Sequence, residues 1–202
     1  MRLTDALAAL TLFAFVSSVT PGPNNLMLLS SGTRFGFRRT IPHMLGITIG
    51  FSAMIALVGL GLAQLFTRFP LLHSILKIAS VAYLLFLAYK IAVAKPPSDE
   101  AGDRQGKPMH FLAAAAFQWV NPKAWTSALT ALSAYMPPVD PWLGPLLVAG
   151  AFALVSIPAT SIWAVMGMHL RRLLHDPARL RLFNRVAAAL LVASLYPVVV
   201  GH

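Results

Sequence analysis

The sequence predicts an all-α integral membrane protein: six transmembrane helices arranged as two inverted three-helix repeats, with helices 1 and 4 broken at proline. Three observations lead there. The 202 residues are 57% hydrophobic and 11% charged, with a mean hydropathy of +0.71, whereas soluble domains run near ~25% charged. The apolar runs reach the ~20 residues that a helix needs to cross hydrocarbon, and the short alternating segments of barrel strands are not seen. Two of these runs carry a proline-centred interruption, Thr20-Pro21-Gly22-Pro23-Asn24-Asn25 and Asn121-Pro122-Lys123.

The first helix is expected from about Leu3 to Ser31. Unbroken, it would be ~44 Å long at 1.5 Å per residue, beyond a ~30 Å core. A break near Pro21 makes two half-helices, with Thr20 as cap and Pro21 as the first residue of the second half. Asp5 interrupts the basic end of this segment, and no small-x-small site follows, so it reads as a retained helix rather than a cleaved leader. A loop is expected over Gly32–Arg39, then helix 2 from about Ile41 to Phe66. Gly46 and Gly50 form a small-xxx-small pattern there; it suits close intramolecular packing and permits a homo-oligomer. Helix 3 follows over about Leu71–Val93.

The Pro-, Gly- and charge-rich stretch 94–110 reads as a linker between a first repeat, 1–93, and a second, 111–202. Helix 4 is expected from about Phe111 to Tyr135, helix 5 from about Leu143 to Met168, and helix 6 from about Phe183 to Val200 after a basic loop. Links after helices 1, 3 and 5 hold 12 of the 16 Lys and Arg. Arg2, Arg68 and Lys77 lie on the other side. This asymmetry places the odd-numbered links in the cytoplasm and both termini outside it. It also accounts for the net charge of +10 without nucleic acid. The absence of cysteine excludes disulfide, thiol and thiolate-metal chemistry.

Val19-Thr20-Pro21 aligns with Val120-Asn121-Pro122, and Lys77-Ile78-Ala79-Ser80 with Arg185-Val186-Ala187-Ala188. Three helices per half force the second copy to be inverted, and matched interruptions in inverted halves point to a binding site near the midplane. Each second half-helix presents free N–H groups and a positive dipole end, suited to a carboxylate. Thr20, Asn24, Asn25, Gln118 and Asn121 add hydroxyl and amide groups. Lys123 stands half-way along a membrane helix, where a lysine costs at least ~2.5–3.5 kcal/mol. It is a candidate for pairing with a substrate carboxylate or for carrying a coupling proton. The bland alternative is that these groups only satisfy backbone freed by the kinks. No Asp or Glu falls in a helix interior, and the six histidines are expected at helix ends or in loops. No pair of them has metal-ligand spacing, so neither a metal site nor a cofactor is expected.

At these residues the chain resembles the LysE/RhtB family of bacterial amino-acid exporters. The resemblance rests on Thr20-Pro21-Gly22-Pro23-Asn24, Gly36-Phe37-Arg38, Gly46 with Gly50, and Asn121-Pro122-Lys123. The continuation through Asn25 to Ser31 is similar to the cysteine and O-acetylserine exporter branch. It implies efflux of amino acids or small neutral derivatives across the bacterial inner membrane by proton antiport. It also implies a substrate site at Thr20, Pro21, Gly22, Pro23 and Asn24 and at Asn121, Pro122 and Lys123, to which the reading of the residues adds Asn25 and Gln118. The missing buried carboxylate suits a net-neutral substrate. The rival classes are a non-transporting scaffold or channel-like protein, and a membrane enzyme. An enzyme would need a nucleophile–base pair, and Ser17, Ser18 and Ser156 read only as lone backbone partners.

Overall fold

The computed structural model describes residues 2–62, 68, 70–93, 107–173 and 176–196. All regular structure among them is helical. The first apolar run forms α1 (Leu3–Val19) and α2 (Pro23–Phe35), bent by 55° at the break. The loop expected over Gly32–Arg39 is instead helix on both sides of Gly36. That residue alone turns the chain, at φ 77 and ψ 173, a left-handed conformation that glycine adopts without a Cβ penalty. α3 (Phe37–Leu57) therefore begins a turn earlier than expected, and it ends in a π-helical turn, Val58–Leu62.

α4 spans Pro70–Ala92. Next in the described chain come α5 (Phe111–Phe117), a 3-10 turn Gln118–Val120, and α6 (Pro122–Ala134). α7 spans Leu143–Leu173 and α8 spans Pro177–Ala193. α8 starts six residues before the position expected from hydropathy. Asp176 caps it by accepting from the Ala178 N–H at 2.8 Å, and Pro177 takes its first position. Arg179 and Arg181 consequently stand on this helix, and Arg171 and Arg172 fall within α7, rather than in a basic loop. Residues 94–106 of the expected linker, together with His175 and His202, lie outside the described residues.

Among the described residues two helices are long and apolar enough to cross a membrane, Phe37–Leu62 and Leu143–Leu170, and the bent α1–α2 pair makes a third if counted as one span. α7 is the central element, packed on α1, α2 and α3. α3 also packs on α5, and α4 pairs with α8. Small residues set the closest approaches. A Cβ on Gly32 would collide with the Ala164 carbonyl, and one on Gly167 with the Leu29 carbonyl. Gly46 and Gly50 meet Phe111, Ala114 and Ala115 of α5 in the same way, so the small-xxx-small face is occupied within the chain.

Side chains fill three cores around these contacts. Leu10, Met54, Ala128 and Phe152 represent one, on α1, α3, α6 and α7. Leu26, Leu84, Phe117 and Leu191 represent the second, on α2, α4, α5 and α8. Leu28, Ile47, Ala114 and Ala164 form the third, between the breaks and the Gly36 turn.

Candidate functional site

Both interruptions are real breaks, and they meet. At the first, Thr20 is the extended C-cap of α1, at φ −60 and ψ 136, as a residue before proline prefers. The N-cap of α2 is Gly22 and its first residue is Pro23. This corrects the expectation that Thr20 caps the second half-helix and Pro21 opens it. Of the two candidate prolines, Pro23 takes the first helical position, where its missing N–H is no loss. At the second break Asn121 caps α6, its Oδ1 accepting from the Lys123 N–H at 3.2 Å, and Pro122 takes the first position.

Breaking a span strands the carbonyls of its last turn, which hydrocarbon cannot satisfy. Here side chains take them up. Thr20 Oγ1 donates to Val16 O. Asn25 Nδ2 donates to Ser18 O and to Thr20 O, both at 2.8 Å. Trp163 Nε1 donates to Val19 O at 3.1 Å. Lys123 Nζ completes the set, donating to Thr20 O at 2.5 Å and to Pro21 O at 3.3 Å. A cation at a helix C-terminus also complements the negative end of the dipole.

The breaks are joined a second time through amides. Asn24 Nδ2 donates to Gln118 Oε1 at 2.8 Å, and Gln118 Nε2 donates back to Asn24 Oδ1 at 3.2 Å. Gln118 Nε2 also donates to Ala114 O at 2.8 Å. Gln118 is fully buried, so both its amide hydrogens are committed to the protein.

Between the breaks lies a cavity of about 50 Å³, room for several waters at roughly 10–15 Å³ each. Five of the ten expected site residues line it: Gly22, Asn24, Asn25, Asn121 and Lys123. Thr20 and Pro21 reach it only through carbonyls held by Lys123. Gln118 stands behind Asn24, while Pro23 and Pro122 set the half-helix starts. The remaining polar wall comes from residues that the sequence left as backbone partners or passed over: Ser17, Ser18, Ser127, Ser156 and Thr160. Ser17 and Ser127 share a hydrogen bond of 2.8 Å. The available signal was helical spacing, because Ser127 follows Lys123 by one turn and Ser156 precedes Thr160 by one turn.

The chemistry of this cavity is positive and neutral. Among the described residues Lys123 is the one ionisable side chain on its wall. The N-caps of α2 and α6, Gly22 and Asn121, both border it, which puts two positive dipole ends at one place. Among the described residues no cluster of His, Cys, Asp or Glu has metal-ligand geometry. Gly22 lets Lys123 lie across the break, for a Cβ there would stand 2.5 Å from Lys123 Cδ and 3.2 Å from Nζ.

His43 lies near a helix end, as expected, in the second turn of α3, but it is buried to 2% exposure and neither ring nitrogen has a hydrogen-bond partner.

Comparison with known proteins identifies relatives of this chain. The LysE type translocator family matches residues 15–194. The cysteine/O-acetylserine efflux protein of Escherichia coli strain K12 is 34% identical over 187 residues, covering 92% of this chain and 93% of that protein. The proteins of the same name from Shigella sonnei, at 34%, and from Escherichia coli O139:H28, at 33%, match over the same shares. No solved structure matches the chain. With a family match over most of its length and relatives at this identity, the chain belongs to the LysE type translocators and is a multi-pass membrane transporter, not an enzyme.

Proposed function

We propose that this transporter exports small neutral amino acids or their derivatives across the bacterial inner membrane in exchange for protons. The observation that carries the proposal is the meeting of two proline-broken helices at one cavity, with Lys123 of the second lying on the carbonyl end of the first. In the proposed cycle a substrate carboxylate displaces the Thr20 and Pro21 carbonyls as partner of Lys123. The N-termini of α2 and α6 reinforce the attraction. Asn24, Asn25 and the serine hydroxyls receive the ammonium and a small polar side chain. A wall without carboxylates fits a zwitterion, in keeping with the cysteine and O-acetylserine named for the relatives.

The six-span reading pairs α1–α2, α3 and α4 with α5–α6, α7 and α8, as repeats 1–93 and 111–202 joined by 94–110. The packing supports it. Under exchange of the halves, the contact of the first broken span with α7 becomes that of the second broken span with α3, and the α4–α8 pair maps onto itself. The charge asymmetry then puts both termini outside the cytoplasm. Rocking of the halves about the cavity gives alternating access.

The test is efflux of preloaded labelled cysteine, O-acetylserine, threonine, homoserine and leucine from reconstituted vesicles, with and without a proton gradient. Wild type is run beside Lys123→Ala. The expected result is saturable, gradient-dependent efflux that Lys123→Ala reduces at least tenfold. Efflux of none of them by folded protein would overturn the exporter reading, and equal efflux by Lys123→Ala would remove Lys123 from the site.

A further inference from the structure

We propose that His43 is the residue that binds the coupling proton, an inference that rests on the proton-exchange reading above. Its place in the fold carries the argument. Thr40, His43, Ile47 and Phe51 recur at helical spacing along one stripe of α3. Ile47 and Phe51 line the cavity between the breaks. His43 lies one turn beyond Ile47, ~6 Å along the axis at 1.5 Å per residue. Thr40 follows, donating to Gly36 O at 2.8 Å and sharing a 2.9 Å hydrogen bond with Ser31. Along α3 the imidazole thus stands between the cavity and the Gly36 turn, and we take the tight contacts of Gly32 with Ala164 and of Gly167 with Leu29 as the closure at that end.

A buried imidazole of purely structural purpose usually makes at least one hydrogen bond, since burying an unpaired polar group is costly. His43 makes none. The elements packed on α3 are α2, α5, α6, α7, the 3-10 turn Gln118–Val120 and its own π-helical turn, and none carries a carboxylate. Their charged or titratable groups are Arg34 in the last turn of α2, and the α5 N-cap His110, which accepts from the Ala113 N–H. α6 adds Lys123 at the cavity. α7 adds His169, bonded to Val165 O, with Arg171 and Arg172 beyond it. α3 itself adds Arg38 and Arg39 near the Gly36 turn. Every charged residue on these described elements is basic, so none of them offers the protonated ring a counter-ion.

The imidazole is therefore neutral while this end is closed. A proton entering from the cavity side binds a ring nitrogen, and the unpaired cation favours opening of the α2–α7 contact. The proton then leaves to the cytoplasm, and the neutral ring returns to its apolar surroundings as substrate loads. One proton moves inward on the nitrogen that later releases it, and no other bond changes.

The test separates exchange from coupling. Wild type, His43→Gln and His43→Leu are reconstituted, and two quantities are read: exchange of labelled for unlabelled O-acetylserine at equal pH, and uphill O-acetylserine movement driven by a pH gradient. Both variants are expected to exchange within about twofold of wild type and to lose gradient-driven movement at least tenfold. Variants that remain coupled like wild type would overturn the proposal. So would a wild type that exchanges but does not respond to the gradient, an outcome that leaves the exporter standing and removes its coupling ion. If neither variant folds, histidine ring nitrogen-15 NMR of the wild type in nanodiscs decides. A buried imidazole whose protonation changes when O-acetylserine is added supports the role, and one that stays neutral from pH 5 to 8 with and without it overturns it.

Discussion

Lys123 donates from the first turn of α6 to the Thr20 carbonyl, 103 residues earlier, at the end of α1. The contact joins the two broken helices through the group best able to exchange partners, since an ammonium rotates freely and keeps three donors. Its present acceptors are neutral carbonyls, so an arriving carboxylate offers a stronger, charge-assisted bond.

Replacing Lys123 by Met keeps the apolar stem and removes the charge. Folding is expected to suffer modestly: Thr20 O keeps its bond from Asn25, and Pro21 O loses the Lys123 bond. Two bonds are lost but only one carbonyl, Pro21 O, is left without its side-chain donor, a cost of about 1–3 kcal/mol, whereas export is expected to fall at least tenfold. Thermal unfolding in detergent beside vesicle efflux separates the two effects. A variant that loses stability and transport in parallel would make the lysine a cap and nothing more.

Gly22 gives a sharper probe of the same contact. Its φ of −178 is extended backbone open to any residue, so Gly22→Ala introduces no backbone strain. It introduces a Cβ 2.5 Å from Lys123 Cδ. The lysine must move off its carbonyls, and export is expected to drop as far as in Lys123→Met. The double variant should be no worse than either single one, because both act through one interaction. Additive losses of efflux in that cycle would contradict the steric link.

Much of this site was legible in the sequence, for reasons that particular residues make plain. Proline in an apolar run forces a break, and Asn121-Pro122 carries a start signal that the structure keeps. Thr20 misled, because Pro21 and Pro23 compete for one helical start and local rules do not rank them. The half-helix after Pro23 runs to Phe35 because Gly36 alone makes the turn, a choice of φ that hydropathy does not record. From that one difference follows the early start of α3, and the burial of His43 is a matter of tertiary packing that hydropathy does not record either. Ser127, Ser156 and Thr160 stayed hidden because a hydroxyl on a membrane helix usually bonds its own backbone, as Thr160 does to Ser156 O at 2.7 Å. Only the tertiary fold shows that they also face a cavity.

The amide pair predicts a coupling of its own. Gln118→Leu leaves Asn24 without its partner and Ala114 O without its side-chain donor. Burying unsatisfied groups costs about 1–3 kcal/mol, and unfolding in detergent should show a loss of that size. Asn24→Leu should cost a similar amount. The double variant removes both unsatisfied partners together, so it should lose less than the sum by about 1 kcal/mol or more. Strict additivity would mean that the amides act independently in the membrane.

The last prediction concerns the sealed end. Gly32 and Gly167 stack α2 on α7 so closely that any Cβ meets a carbonyl, of Ala164 in one direction and of Leu29 in the other. Backbone on both sides leaves no flexible side chain to yield, so the helices themselves must separate. Gly32→Val or Gly167→Val should therefore destabilise the protein by about 1–3 kcal/mol, the usual range for overpacking. The separation should also loosen the contact proposed to open during transport. Cysteines introduced at buried positions near it, such as Thr33 and Thr40, are expected to react with a membrane-impermeant thiol reagent several-fold faster in the valine variants, and from one side of the membrane only. The chain has no native cysteine to confuse the signal. Reaction from the cytoplasmic side would agree with the charge asymmetry, reaction from the opposite side would reverse the proposed orientation, and unchanged reactivity would show that these contacts do not form the seal.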